Sequence, residues 1–172
     1  MWKSPANTAV IGVSGLDHGV TDDDLGQLNA AGINPVRSLP GRGCVVWEAR
    51  TLAGRDDNPD LQWRYLPVRR LTSAVERDIQ AALKNLIFEP NTQPTWEKAR
   101  AAANYYLHDL WRTGGLQGKK PEEAYFVHVG KDITMDDDDV TQGRLILEVG
   151  IAPLRPAEFI ILEITQEVVA AG

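Results

Sequence analysis

A chain of 172 residues is long enough for one domain with a real core, able to bury about 70% of the surface that its unfolded form exposes. With 43% hydrophobic and 24% charged residues it has the composition of a globular chain and not of a disordered or fibrous one. The formal net charge of −6, with no offsetting basic stripe, argues against a nucleic-acid binder, and no apolar run approaches the ~20 residues needed to cross a bilayer.

Met1 to Pro5 shows neither an apolar h-region nor a cleavage site, which predicts an intracellular site of synthesis. Thr8 to Val13 reads as a first strand, ending in a turn at Leu16 to Gly19. Thr21 stands as an N-cap before three aspartates that the helix dipole favours, so a short helix should run from there to about Gly32. Ile33 to Leu39 is extended, as residues before Pro35 and Pro40 tend to be. Cys44 to Ala49, entered from Pro40, Gly41 and Gly43, has the β-branched, apolar character of a central buried strand, with Trp47 on one face and Cys44 as an inert interior thiol.

Arg55 to Asp60 is a loop, and Trp63 to Val68 is expected to be extended, with Pro67 at a sheet edge. Leu71, Val75, Ile79, Leu83 and Leu86 form a helical stripe, with Ser73 and Glu76 as a capping box and Pro90 as terminator. A second helix from Thr95 carries Trp96, Ala99, Ala103, Tyr106 and Leu110 and ends at Gly114 or Gly115; the short connection makes the pair antiparallel. Ala124 to Val129, Gly143 to Ala152 and Glu158 to Ile164 read as strands, the last apolar on nearly all sides. The order predicts an α+β fold, a mixed β-sheet with the antiparallel helix pair packed on one face.

Motifs with chemistry are few. Gly114 to Lys120 resembles a phosphate loop only superficially: Thr113 stands where a glycine is required, Lys120 where a hydroxyl should meet Mg²⁺, and the stretch follows a helix. Asp136 to Asp139 lacks the alternate spacing of a calcium loop. His18, His108 and His128 have no metal-ligand spacing, so no metal or cofactor is expected. One alternative stays open at this level, an enzymatic or small-ligand-binding α+β domain whose site would gather Arg50, Arg64 and His128.

The stretch Gly41-Arg42-Gly43-Cys44-Val45-Val46-Trp47-Glu48-Ala49-Arg50-Thr51-Leu52 is similar to the Gly-x-Gly-hydrophobic-Trp-Gly-Ala-Arg-Thr-Leu segment of contractile tail sheath proteins, found in contractile bacteriophages, R-type tailocins and related injection particles. Pro5-Ala6-Asn7, Leu28 to Asn34, Phe88 to Asn91, Gly114 to Gly118 and Ala152 to Phe159 match further family stretches in order, across nearly the whole chain. Glu48 departs from the family's usual glycine.

The resemblance implies a single sheath C-terminal-type domain over 1–172: an N-terminal strand and short helix in 1–40, an α/β core in 41–156 and a C-terminal strand or arm in 157–172. Met1 stands close before Pro5, which implies a chain without the family's N-terminal arm and outer domains. The function implied is structural: an inner sheath layer around the tail tube, linked to neighbours by strand exchange through Phe159, Ile160, Ile161, Leu162 and Ile164. Contraction in this family uses no nucleotide. The partners implied are other sheath subunits, the tail tube protein and baseplate proteins, with no nucleic acid and no membrane. The implied location is a virion or phage-tail-like particle assembled in the bacterial cytoplasm. For the tube-facing surface, the exposed basic positions Lys98, Arg100, Arg112, Lys119 and Lys120 are the candidates.

Overall fold

The computed structural model describes residues 2–55 and 60–156. Three short strands open the chain: β1 (Thr8–Ala9), β2 (Val36–Leu39) and β3 (Gly43–Val46), joined in the antiparallel order β1-β3-β2. The strand expected to be central is central, and Val45 on it is fully buried while Cys44 is nearly so. Arg42, at the tip of the β2–β3 turn, reaches back to Asn7, its Nη1 donating to Oδ1 at 2.8 Å and its Nη2 to the carbonyl at 3.2 Å. Trp47 is only half-buried, with the Arg37 guanidinium 5.0 Å above its ring.

Helix α1 (Asp22–Ala30) starts as expected, with Thr21 and Asp24 forming a reciprocal capping box. None of its residues is buried, so it depends on its ends. After it, Gly32 adopts φ +71°, and a Cβ there would stand 3.0 Å from the Thr51 carbonyl. That close approach lets Asn34 clamp Arg50: its Nδ2 donates to the Arg50 carbonyl at 2.8 Å, and the Arg50 amide donates to its Oδ1 at 2.7 Å. Arg50, itself buried, sends Nη1 to the Asn29 carbonyl at 3.2 Å and so also holds the end of α1.

The segment expected to be extended from Trp63 is instead the entry to helix α2 (Leu66–Leu83). Pro67 falls in the first turn, where its missing N–H costs nothing and its fixed φ suits the helix. Ser73 and Glu76 therefore lie inside the helix and cap nothing. An Arg50–Tyr65 bridge and the Leu66 amide, which donates to Ala49, tie this start to the end of the first sheet. Helix α3 (Gln93–Arg112) likewise begins two residues before Thr95, with Pro94 in its first turn. It ends at Gly114, whose φ of +80° is the expected left-handed cap.

The single turn α4 (Pro121–Ala124) leads into β4 (Tyr125–Val129), and α5 (Asp137–Thr141) precedes β5 (Leu147–Ile151). β5 starts four residues later than the alternation suggested, because the backbone before it is bound elsewhere. Asn91 donates to the Arg144 carbonyl at 3.0 Å and Thr134 to that of Ile146 at 2.7 Å. β4 and β5 pair antiparallel with Val127 opposite Val149. Leu71, Val75 and Ile79 of α2 meet Ala103, Leu107 and Leu110 of α3 in one core, against which Tyr125, Val127, Leu147, Val149 and Ile151 pack.

The α+β class holds, with the helix pair on one face of β4–β5, and the described strands form two small antiparallel sheets. Tyr106 ties the helices together, its hydroxyl donating to Asp78 Oδ2 at 3.0 Å.

Replacing Asn34 by alanine is expected to lower the stability by about 1–2 kcal/mol, seen as a lower urea midpoint at unchanged slope. Burial, with the Asp78 carboxylate beside it, pushes Tyr106 up from 10.0 to about 12. A raised folded-state value contributes stability that is complete below pH 10 and lost as pH rises toward 12. The urea midpoint should therefore fall across that window, and fall less in Tyr106→Phe.

Candidate functional site

The three residues offered as a catalytic group do not converge. Arg50 and Arg64 are brought close, since the Thr51 amide donates to the Arg64 carbonyl at 2.8 Å, but both serve the junction between sheet and helix. His128 lies on the outward face of β4, stacked on Phe126 at 4.7 Å and 3.6 Å from Glu148 across the strand pair. Asp136 to Asp139 form a helix start: Asp136 caps Asp139, and the Asp136 amide and the Arg144 guanidinium hold the Asp139 carboxyl below its usual range. Among the described residues, no group of three or more His, Cys, Asp or Glu side chains could hold a metal. The glycine-rich loop after α3 is likewise structural, with the Trp111 indole donating to the Gly118 carbonyl at 2.9 Å and Leu116 buried.

The five basic candidates divide into three groups. Arg100 turns inward, its Nη2 donating to the Val129 carbonyl at 2.6 Å while Nη1 meets Glu97 at 2.8 Å. Lys98 stands 3.6 Å from Glu89, and Arg112 3.6 Å from Asp109. Lys119 and Lys120 project from the loop and are exposed. The strand-exchange residues Phe159, Ile160, Ile161, Leu162 and Ile164 lie outside the described residues.

What the chain does present is the second edge of β5. β4 occupies one edge, and among the described residues no strand pairs on the other. The Ala152 amide donates to the Ala124 carbonyl at 2.8 Å, so the alternation of an antiparallel ladder turns the N–H and C=O groups of Leu147, Val149 and Ile151 toward the open edge. Between that edge and α2 runs a groove of three adjoining concavities. One, of about 490 Å³, is walled by Trp63, Val68, Ile151 and Arg155. The middle one, about 430 Å³, lies between Val75, Ile79 and Leu83 of α2 and Leu147 and Val149 of β5. The last, about 560 Å³, is lined by Leu83, Leu86, Ile87, Phe88 and Leu145. A row of backbone donors and acceptors beside an apolar floor suits one kind of guest, an extended peptide with apolar side chains on alternate positions.

Phe88 was not singled out by its side chain in the sequence. It is wholly exposed, at 101%, and its φ of +72° lies in the left-handed region. Its loop is nevertheless pinned, because the Trp96 indole donates to Asn91 Oδ1 at 2.7 Å and Asn91 binds the Arg144 carbonyl. The sequence signals for it are Pro90, which marks the turn but not its direction, and the family-like stretch Phe88 to Asn91, which does not say where the ring points.

Residues 58–167 match the family described as the phage tail sheath C-terminal domain. Among solved structures, the chain is similar at 51% identity and a TM-score of 0.89 to a protein of the anti-feeding prophage baseplate, over 97% of this chain and 45% of that one. It is similar at 49% identity and the same TM-score of 0.89 to one in the PVC sheath complex, an extracellular contractile injection system in its contracted state, over 97% and 46%. A sheath tail protein from Desulfitobacterium hafniense shares the fold at a TM-score of 0.62 and 12% identity, over 88% of this chain and 37% of that one. The chain thus spans less than half the length of these relatives. No curated protein matches it.

The inward Arg100 contact predicts that Arg100→Ala costs about 1–2 kcal/mol of stability by urea unfolding, through the stranded Val129 carbonyl. Lys119→Ala and Lys120→Ala should stay within about 0.5 kcal/mol of the parent.

Proposed function

The chain belongs to the family of phage tail sheath C-terminal domains, and on that premise we propose that it is a structural subunit, or part of one, in a contractile sheath. It forms the inner layer around the tail tube and is linked to its neighbours by exchanged strands. The observation that carries this reading is the β5 edge, a ladder of outward backbone groups beside an apolar groove, in a chain half identical to proteins of contractile particles. We read 1–172 as one domain, with 1–40 and 41–156 sharing the first sheet and 157–172 as the arm.

A neighbour's arm, supplying Phe159, Ile160, Ile161, Leu162 and Ile164, adds to β5 as a further strand. Backbone hydrogen bonds made this way depend little on the rest of the neighbour, so subunits that rotate during contraction remain joined. The sheath needs no nucleotide, metal or cofactor, because the free energy resides in contacts that grow in the contracted state. The subunit is a structural element and not an enzyme.

Lys119 and Lys120, exposed on one loop, are the strongest of the five candidates for the tube face, with Lys98 and Arg112 beside them. Arg100 contributes through its fixed position. Contacts of this polar kind release readily, as an extended sheath must release its tube. The partners are further sheath subunits, the tube and the baseplate, within a phage-tail-like particle of the injection-system kind. No helix among the described residues is long and apolar enough to cross a membrane.

Negative-stain electron microscopy of the chain mixed with its cognate sheath and tube proteins tests the reading. Tubes, rings or incorporation into sheath are expected, and a chain that joins neither partner overturns it. Val149→Pro removes one edge-facing N–H and leaves the β4 ladder intact. It should keep the monomer folded by circular dichroism while abolishing incorporation.

A further inference from the structure

Phe88 is the anomaly that no structural role among the described residues explains. A large apolar side chain stands fully in water, on a backbone conformation that a non-glycine residue adopts at a cost of about 1 kcal/mol, in a loop that hydrogen bonds hold rigid. Strained conformations of this kind persist where a site uses them. The ring borders the last concavity of the β5 groove, at the end remote from Arg155, where the described chain departs.

We propose that Phe88 is the end clamp of the groove, closing over an extended apolar segment donated by a second copy of this chain. The inference rests on strand addition at β5 and names the residue that fixes how far the guest strand enters. The occupant follows from three observations. The groove between Leu145 and Pro153 is about 27 Å long at ~3.3 Å per residue, enough for eight or nine extended residues. The chain's segment 157–172 carries Phe159, Ile160, Ile161, Leu162 and Ile164, with Glu163 inside that run and Glu158 and Glu167 on either side of it. And the described chain does not turn toward its own open edge as it leaves β5. Ala152 donates to Ala124, its carbonyl accepts from Gln117, and Pro153 bridges Leu116, so through Pro153 the chain stays paired on the β4 side.

Parity then follows from charge. Glu163 and Glu167, which fall on one face of an extended segment, must meet water, which places Phe159 and Ile161 with them on the outer face of the sheet and leaves Glu158 at the mouth of the groove. Ile160, Leu162 and Ile164 enter the groove between Val75, Ile79 and Val149. The last of these to enter meets the concavity that Phe88 and Ile87 overhang. Closure removes the exposed ring from water together with the guest side chain, and such a paired aromatic anchor is where binding energy concentrates.

The test uses the full chain, as a mixture of copies with natural and heavy nitrogen, carrying a photoreactive phenylalanine derivative either at position 88 or at position 72 in the middle of the groove. Cross-links from both probes to residues 157–172 of the other isotopic copy are expected. Links from position 72 alone would overturn the clamp and leave strand addition standing. Links from neither would overturn both, and links confined to one isotopic copy would overturn the second-copy assignment. Phe88→Gly separates a clamp from a structural residue, since glycine accepts φ +72° without strain. Self-association by sedimentation should weaken about tenfold while the melting temperature holds or rises. A matched fall in both would assign Phe88 to the fold of its own subunit and overturn the proposal.

Discussion

Two strands do not make a stable sheet in water, and that constraint governs the second half of this chain. β4 and β5 bury one face only because α2 and α3 lie against it, with Leu71, Val75, Ile79, Ala103 and Leu107 as the shared interior. The helices cover the face and leave the edge. The same arrangement that stabilises the pair therefore presents Leu147, Val149 and Ile151 to whatever can complete the ladder. An open edge is a liability in a chain meant to stay single and an asset in one meant to assemble. Here α2 runs beside it and supplies an apolar wall, which makes the edge selective for an extended segment with apolar side chains.

The first half of the chain has a different organising contact. Gly32, Asn34 and Arg50 form one junction: the glycine permits close approach, the asparagine side chain binds both backbone groups of Arg50, and the Arg50 side chain holds the end of α1. Arg42 does the same for Asn7. Residues that stand in separate matching stretches of the sequence are thus partners across the fold. Side chains here bind backbone, and backbone groups near a core must be paired in any homologous chain whatever its surface does. Glu48, which replaces the family's usual glycine, leaves Oε2 buried without a hydrogen-bond partner among the described residues, and nothing in the structure explains the replacement.

Much of this was legible from local patterns. The Thr21 cap, the central strand at Cys44 to Val46, the two amphipathic helices and the Gly114 cap depend on interactions within a few residues, which spacing reports directly. Errors arose where one residue type serves two environments. Pro67 suits a strand edge by its missing N–H, yet the same feature suits a helix start, and what decides is Val68 and Leu71 finding a core to bury in. Gly143 to Ile146 alternates like a strand, but Asn91 and Thr134 claim its carbonyls from far along the chain. His128 and Arg50 fit one chemical group on paper, but the fold puts Arg50 at the junction before α2 and His128 on β4.

By itself the sequence determined the class of fold, the helix pair, the family and the absence of any spaced catalytic or metal motif, because each is carried by periodicity, capping or a contiguous stretch. Only the tertiary structure decided which edge of which strand stays open, that Arg100 points inward while Lys119 and Lys120 point out, and that Phe88 stands in water at the end of a groove. Those are properties of surfaces built by residues distant in the chain. Whether a side chain is covered depends on which other elements arrive beside it, and no local pattern records that.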